Sequence, residues 1–256
     1  MIGRIGDQAL LEVKDVHTYY GESHILQGVN LKVLAGESVT LLGRNGMGKT
    51  TLMRTIMGLT PARRGEVLFQ GQDVTRRPPY RIARLGIGYV PEDRGIFGAL
   101  TVCQNLQVPF LNLTRKKAYK WREIEERIYE LFPALRERRK RLAGTLSGGE
   151  QQMLATARAL IAGEKLILMD EPTEGLAPVV VDKLVEVFHR LKAQGQTMLL
   201  VEQNFQVAME VADRCYVLEK GLIRLEEKSA ALAARSDLLR QYLGVLDNDQ
   251  EACRPG

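Results

Sequence analysis

Ser38-Val39-Thr40-Leu41-Leu42-Gly43-Arg44-Asn45-Gly46-Met47-Gly48-Lys49-Thr50-Thr51 is the stretch on which the fold of this 256-residue chain turns. Its first five residues form an almost continuous apolar run, the pattern of a strand buried on both faces. A turn with three glycines follows, and residues 51–57 then read as a helix. Gly43 to Thr50 fits Gly, four residues, Gly-Lys-Ser/Thr, a loop whose glycines let successive backbone N–H groups wrap around a phosphate. In that pattern Lys49 adds a point charge at the β and γ phosphates and the Thr50 hydroxyl reaches Mg²⁺. Thr51 donates to the α phosphate from the first helical turn.

Working outward, residues 166–169 and 198–201 read as two more buried strands separated by a helical pattern over 179–192. Strands alternating with helices imply a parallel sheet. The first of these strands exits into Asp170-Glu171, so two carboxylates stand at the sheet edge where nucleotide sites form. Asp170 is placed to hold Mg²⁺, and Glu171 to act as general base on the attacking water, a role worth about 10² to 10⁴ in rate. Upstream, residues 10–20, 25–33 and 66–69 are short alternating runs bounded by turn glycines, which suit an antiparallel sheet.

Residues 115–141 are dense in Lys, Arg and Glu and carry Ile124, Ile128, Leu131, Phe132 and Leu135 at spacings of three and four, the mark of amphipathic helices outside the core. The basic run at 136–141 reads as a solvated helix end or a phosphate-binding patch. Beyond Val201 we expect a helix from Phe205, a hairpin over 215–225 turning at Lys220-Gly221, a short helix near Leu238 and a tail at 247–256.

Composition narrows the class. Hydrophobic residues make up 45% and charged residues 26%, with no apolar run near the roughly 18 residues of a bilayer span. The first seven residues lack the apolar region of a signal peptide, so a soluble, cytoplasmic chain is expected. Cys103, Cys215 and Cys253 have no metal-ligand spacing and read as free thiols, and His17, His24 and His189 are expected to form no cluster. The net charge of +5 is compatible with an anionic partner but selects none.

Leu146-Ser147-Gly148-Gly149-Glu150-Gln151-Gln152 opens a helix running to Leu160, with Ser147 as its N-cap. Two glycines are poor choices at such a helix start unless a phosphate approaches the backbone there. Because the phosphate loop already supplies one helix terminus, the second must act from the other side of the nucleotide, most simply from a second subunit.

Phosphate loop, Leu-Ser-Gly-Gly signature and Asp-Glu strand end, in this order and spacing, resemble the ATP-binding-cassette ATPases over nearly the whole chain. The resemblance implies an α/β fold: a P-loop NTPase (RecA-like) parallel-sheet core, an N-terminal antiparallel β subdomain, and an α-helical subdomain at about 95–160 inserted before the signature motif. It implies one ATP-binding unit over residues 1–246. In that family two cassettes pair head to tail. ATP and Mg²⁺ then lie between Gly43, Arg44, Asn45, Gly46, Met47, Gly48, Lys49, Thr50 and Thr51 of one chain and Ser147, Gly148, Gly149 and Glu150 of the other, with Tyr20 stacked on adenine.

Two departures from the family's commonest pattern stand out. Glu92 replaces a Gln that senses Mg²⁺ and the γ phosphate, and Gln203 replaces a switch His. A carboxylate can ligate Mg²⁺ and an amide can bond a phosphate oxygen, but Gln203 cannot titrate as His can. By this resemblance Thr50, Glu92 and Asp170 hold the metal, and Glu171, Lys49 and Gln203 serve the chemistry. With Tyr-Val-Pro-Glu at 89–92, Glu-Gly-Leu-Ala-Pro at 174–178 and Leu-Val-Glu-Gln-Asn at 200–204, the departures are similar to the smaller ATP-binding subunit of bacterial high-affinity branched-chain amino acid importers, whose relatives include urea and amide carriers. Members work at the cytoplasmic face of the inner membrane with a second cassette, two membrane permeases and, indirectly, a periplasmic substrate-binding protein, and bind no nucleic acid.

Residues 94–111 are then expected to face a permease, although Leu100, Val102, Leu106, Val108 and Phe110 equally suit a core. The rival readings are a soluble cassette ATPase acting on ribosomes or DNA, against which the single cassette and the lack of a long coiled-coil insertion count, and a regulatory cassette that binds ATP with little hydrolysis.

Overall fold

The alternation in the first third folds into long strands. In the computed structural model, which describes residues 9–113, 120–162 and 165–234, β1 (Ala9–Tyr20) pairs antiparallel with β2 (Ser23–Leu34) and with β4 (Arg64–Phe69). Leu11, Val13 and Val16 of β1 and Val29, Leu31 and Val33 of β2 face a common core. β3 (Ser38–Leu42) leaves this sheet, runs through the glycine-rich loop into α1 (Lys49–Ile56), and returns by β4 to the short β5 (Gln72–Asp73). The antiparallel sheet has the order β2-β1-β4-β5.

The chain continues through α2 (Pro79–Ala83), β6 (Ile87–Val90), α3 (Val102–Leu113), α4 (Trp121–Leu131), α5 (Pro133–Glu137), a 3₁₀ turn at Ala143–Thr145 and α6 (Gly148–Ala162). It then runs through β7 (Leu166–Asp170), α7 (Pro178–Ala193), β8 (Thr197–Glu202), α8 (Phe205–Val211), β9 (Arg214–Glu219), β10 (Leu222–Lys228) and α9 (Ser229–Ala233). The second sheet has the order β10-β9-β3-β8-β7-β6, parallel except for the β9–β10 hairpin. The hairpin expected at 215–225 is therefore also an extension of the parallel sheet, because β9 pairs alongside β3.

Continuous apolar strands are required because both faces of this sheet are covered. In β7, Ile167 and Met169 face the core shared with α3, α4, α6 and α7, whereas Leu166 and Leu168 face the core shared with the antiparallel sheet. All four are fully buried, and truncating any one to Ala costs about 2–5 kcal/mol. The order also places the C-terminal ends of β3, β8 and β7 side by side, which brings the phosphate loop, Gln203 and Glu171 to one edge.

The structure decides several of the open readings. Val102 and Leu106 are fully buried and Phe110 packs on Trp121, so these residues are core; the exposed large apolar side chains of this stretch are Phe97 and Leu111. Asn105 fixes the approach to α3, accepting from the Phe97 amide at 3.0 Å and donating to the Phe97, Leu100 and Thr101 carbonyls. The basic run at 136–141 is largely consumed internally, with Arg136 on Glu126, Arg138 on Glu150 and Arg139 on the buried Glu125. His17 and His24 do form a pair, Nδ1 to Nε2 at 3.0 Å, because the β1–β2 hairpin folds residues seven apart onto neighbouring strand positions. Cys103 and Cys215 are free thiols. Cys253, the helix near Leu238, the tail at 247–256 and residues 115–119 lie outside the described residues.

Candidate functional site

The loop between β3 and α1 takes a conformation that its glycines permit. Gly46 (φ 77°) and Gly48 (φ 103°) are left-handed, and a Cβ on Gly43 would lie 2.5 Å from the Leu218 carbonyl of β9. The Lys220-Gly221 turn braces the loop from outside: the Gly221 amide donates to the Met47 carbonyl at 3.0 Å, and Gln27 of β2 donates to the Gly221 carbonyl at 2.9 Å. A side chain at Gly221 would meet the Ile25 carbonyl at 1.9 Å, so this tip is wedged between loop and antiparallel sheet.

At the strand ends the side chains converge. Lys49 Nζ, buried, donates to the Arg44 carbonyl at 3.0 Å and forms an ion pair with Glu171 Oε1 at 3.1 Å. Gln203 Nε2 donates to Glu171 Oε2 at 2.5 Å. Thr50 Oγ1 donates to Asp170 Oδ1 at 3.1 Å, and the Tyr89 hydroxyl to Asp170 Oδ2 at 3.4 Å. A cavity of about 420 Å³ is lined by Asn45, Gly46, Gly48, Lys49, Thr50 and Thr51, by Glu92, Glu171 and Glu174, and by Ile25 of β2. Tyr20 ends β1, half exposed, with its hydroxyl 3.4 Å from Thr60 Oγ1, and does not line the cavity.

The electrostatics follow from crowding carboxylates in a half-buried place. Burial pushes the Asp170 carboxyl up to about 6; the Thr50 hydrogen bond opposes this, and the Glu171 and Glu92 charges add to it. For Glu171 burial also acts upward, but hydrogen bonds with Gln203 and Glu174 and the Lys49 ammonium outweigh it and hold the carboxyl below its usual range. Glu174 moves the other way because its carboxyl shares a hydrogen bond with the Glu171 carboxylate.

A hard cation fits this donor set. Thr50 and Asp170 already share a hydrogen bond, and the Glu171 and Glu92 carboxylates add hard oxygen charge near Asp170. Among the described residues no group of three or more His, Cys, Asp or Glu is arranged to hold a metal by itself. Phosphate oxygens and water would have to complete the coordination.

The signature lies elsewhere. Ser147 and Glu150 form a reciprocal capping box, the Ser147 amide on Glu150 Oε2 at 2.9 Å and the Glu150 amide on Ser147 Oγ at 3.3 Å, and Arg138 takes the other Glu150 oxygen. Ser147 and Gly148 are exposed, and neither they nor Gly149 or Glu150 line the cavity. The two glycines differ in cause: a Cβ on Gly149 would lie 2.6 Å from Val180 Cγ1 of α7, whereas one on Gly148 would meet nothing closer than the Arg94 side chain at 3.5 Å. Packing within the chain therefore accounts for Gly149 but not for Gly148.

Sequence reasoning missed Glu174 as a cavity residue, Tyr89 beside Asp170, the Gly221 brace, and a buried pair, Thr173 Oγ1 donating to Glu202 Oε1 at 2.9 Å. An acid ending the apolar run of β8, directly before Gln203, was the available signal for Glu202.

Residues 26–174 match the family model described as ABC transporter. The chain is 43% identical over 235 residues to the high-affinity branched-chain amino acid transport ATP-binding protein BraG of Pseudomonas aeruginosa, covering 92% of this chain and all of that one. It is 31% identical to the lipopolysaccharide export system ATP-binding protein LptB of Escherichia coli, over 92% of this chain and 98% of that one. Among solved structures it resembles a nucleotide-free ATP-binding cassette from an ABC transporter (28% identity, 94% of this chain and all of that one, TM-score 0.76). It also resembles a dimeric cassette in a post-hydrolysis state bound to ADP and Pi (27% identity, 86% and 98%, TM-score 0.76).

Proposed function

This chain belongs to the ABC transporter family, as an ATP-binding subunit whose ATPase activity is coupled to transport, and from that premise we propose that it drives import of branched-chain amino acids. Relatives named for branched-chain amino acid transport support that substrate. The observation that carries the mechanism is the separation of two anion-seeking elements. Lys49 and Glu171 meet in the cavity, while exposed Ser147 and Gly148 open a different helix outside it.

Two such chains, or this chain and a related cassette, close head to tail so that the signature of one caps the triphosphate held by the loop of the other. Lys49, released from Glu171, turns its ammonium to the phosphates, and the loop amides with Thr51 fix the chain of phosphates. Thr50, Glu92 and Asp170 would hold Mg²⁺, which would neutralise phosphate charge. Glu171 accepts a proton from the attacking water, and Gln203, already on its other oxygen, keeps it oriented. Closure moves the attached permeases and hydrolysis reopens the pair. No helix among the described residues is long and apolar enough to cross a membrane, which suits a subunit docked on permeases at the cytoplasmic face of the inner membrane.

Affinity purification from detergent-solubilised membranes tests this: two permeases and a second cassette should accompany the chain, and the complex in vesicles should take up leucine on ATP addition. Recovery of ribosomal proteins in their place sinks the transporter reading, and an assembled complex without ATP turnover would make this a regulatory cassette.

A further inference from the structure

Glu202 ends β8 almost wholly buried, with 2% of its surface exposed, yet the mechanism above does not use it. Its carboxylate takes the Thr173 hydroxyl at 2.9 Å, and the backbone amides of Asn204 and Thr173 also favour its charged form. Thr173 lies two residues beyond Glu171, and Gln203 follows Glu202 directly. With Gln203 donating to Glu171 at 2.5 Å, the contacts close a ring: Glu202 to Thr173, along the chain to Glu171, across to Gln203 and back to Glu202.

The ring holds a backbone that does not rest there unaided. Glu171 has φ 49°, a left-handed conformation that a side-chain-bearing residue adopts only where its surroundings enforce it. The Glu171 amide bonds the Val201 carbonyl at 3.0 Å and fixes one end of the turn; the Thr173–Glu202 bond fixes the other.

We propose that Glu202 is a positioning residue that clamps the turn bearing Glu171 to the turn bearing Gln203, and so sets the aim of the general base. The inference rests on the ATPase reading given above. The ionised acid can only accept, at both oxygens, as the Thr173 hydroxyl requires; protonation turns one oxygen into a donor and loosens the clamp. Around the group stand Thr173 and the like-charged Glu171 carboxylate from the β7 exit, Leu42 across β3, and Asn204 at the start of α8. Burial pushes the Glu202 carboxyl up to about 7, the hydrogen bonds opposing and the Glu171 charge adding, so the clamp tightens as pH rises through neutrality.

The test is steady-state ATPase activity of the purified complex between pH 5.5 and 8.5 for the wild type, Glu202→Gln and Thr173→Val. The wild-type kcat should fall on the acid side with a midpoint near 7. Glu202→Gln, fixed in the neutral form, should run about tenfold slower at pH 8, lack that limb, and keep the KM for ATP within about twofold. Thr173→Val retains the acid but removes a donor to its charged form, and should move the limb to higher pH. Both variants showing the wild-type kcat and pH profile would overturn the clamp, and if Glu202→Gln does not fold, an unmoved limb in Thr173→Val does so alone. A wild-type complex that binds but does not hydrolyse ATP would instead fail the ATPase reading.

Discussion

Gly148→Ala and Gly149→Ala, one residue apart, should break this protein in different ways. At Gly149 an added Cβ lies 2.6 Å from Val180 Cγ1 and 3.1 Å from Val180 Cγ2, both on a stiff β-branched side chain of α7. The helices must separate or Val180 must leave its rotamer, an overpacking cost of about 1–3 kcal/mol. At Gly148 the nearest atoms are the Arg94 guanidinium at 3.5 Å, ordinary van der Waals contact, and the backbone is not left-handed. The change should therefore leave stability within about 0.5 kcal/mol, since alanine's better helix propensity offsets the lost adaptability. If a partner's ATP phosphate approaches this helix start, however, the same methyl stands in its path, and displacement by about 1 Å costs on the order of 10² in rate. Urea unfolding of the isolated chain and ATPase activity of the assembled complex read the two effects separately. A Gly148→Ala complex that hydrolyses ATP at the wild-type rate would refute the claim that a phosphate meets this backbone, and a Gly148→Ala chain as unstable as Gly149→Ala would refute the steric argument.

Two further changes follow from the same site. Glu171→Gln removes the proton acceptor but retains a polar group beside Gln203, so turnover should drop by about 10² to 10⁴ while fluorescent-nucleotide titration shows binding intact; wild-type turnover would dismiss Glu171 as the base. For Glu202 the folded-state value near 7 lies above its ordinary 4.5, so the native state holds the proton more tightly and loses stability as pH rises from 4.5 to 7. Glu202→Gln should thus melt like wild type at pH 4.5 but be more stable at pH 8, by up to about 3 kcal/mol at 1.36 kcal/mol for each tenfold change in proton affinity, and a variant destabilised at pH 8 would contradict the burial cost.

The alternations of β1 and β2 and the apolar run of β3 were legible because strand period and burial write themselves into consecutive residues. The phosphate loop, Asp170 and Glu171 were readable as candidates because each sits in a contiguous motif. What stayed hidden depends on which strands become neighbours. Nothing local says that β8 separates β3 from β7, and only that order puts Gln203 on Glu171 and Glu202 on Thr173. The His17–His24 pair was missed because hairpin register, not spacing, decides it, and the ion pairs of the basic run at 136–141 because their acidic partners lie on α4 and α6. Gly148 and Gly149 looked alike in the sequence, and only the position of α7 tells them apart.

Two hairpin tips, Gln70-Gly71 and Lys220-Gly221, share a left-handed residue before a left-handed glycine and look equally suited to carrying a foreign sequence. They are not. A Cβ on Gly71 would have no atom within 4 Å, whereas one on Gly221 would run into the Ile25 carbonyl. For anyone fitting a fluorescent reporter or splitting the polypeptide for complementation, the first tip is an open handle. The second is a keystone, and cargo placed there would be carried on the back of the nucleotide loop itself.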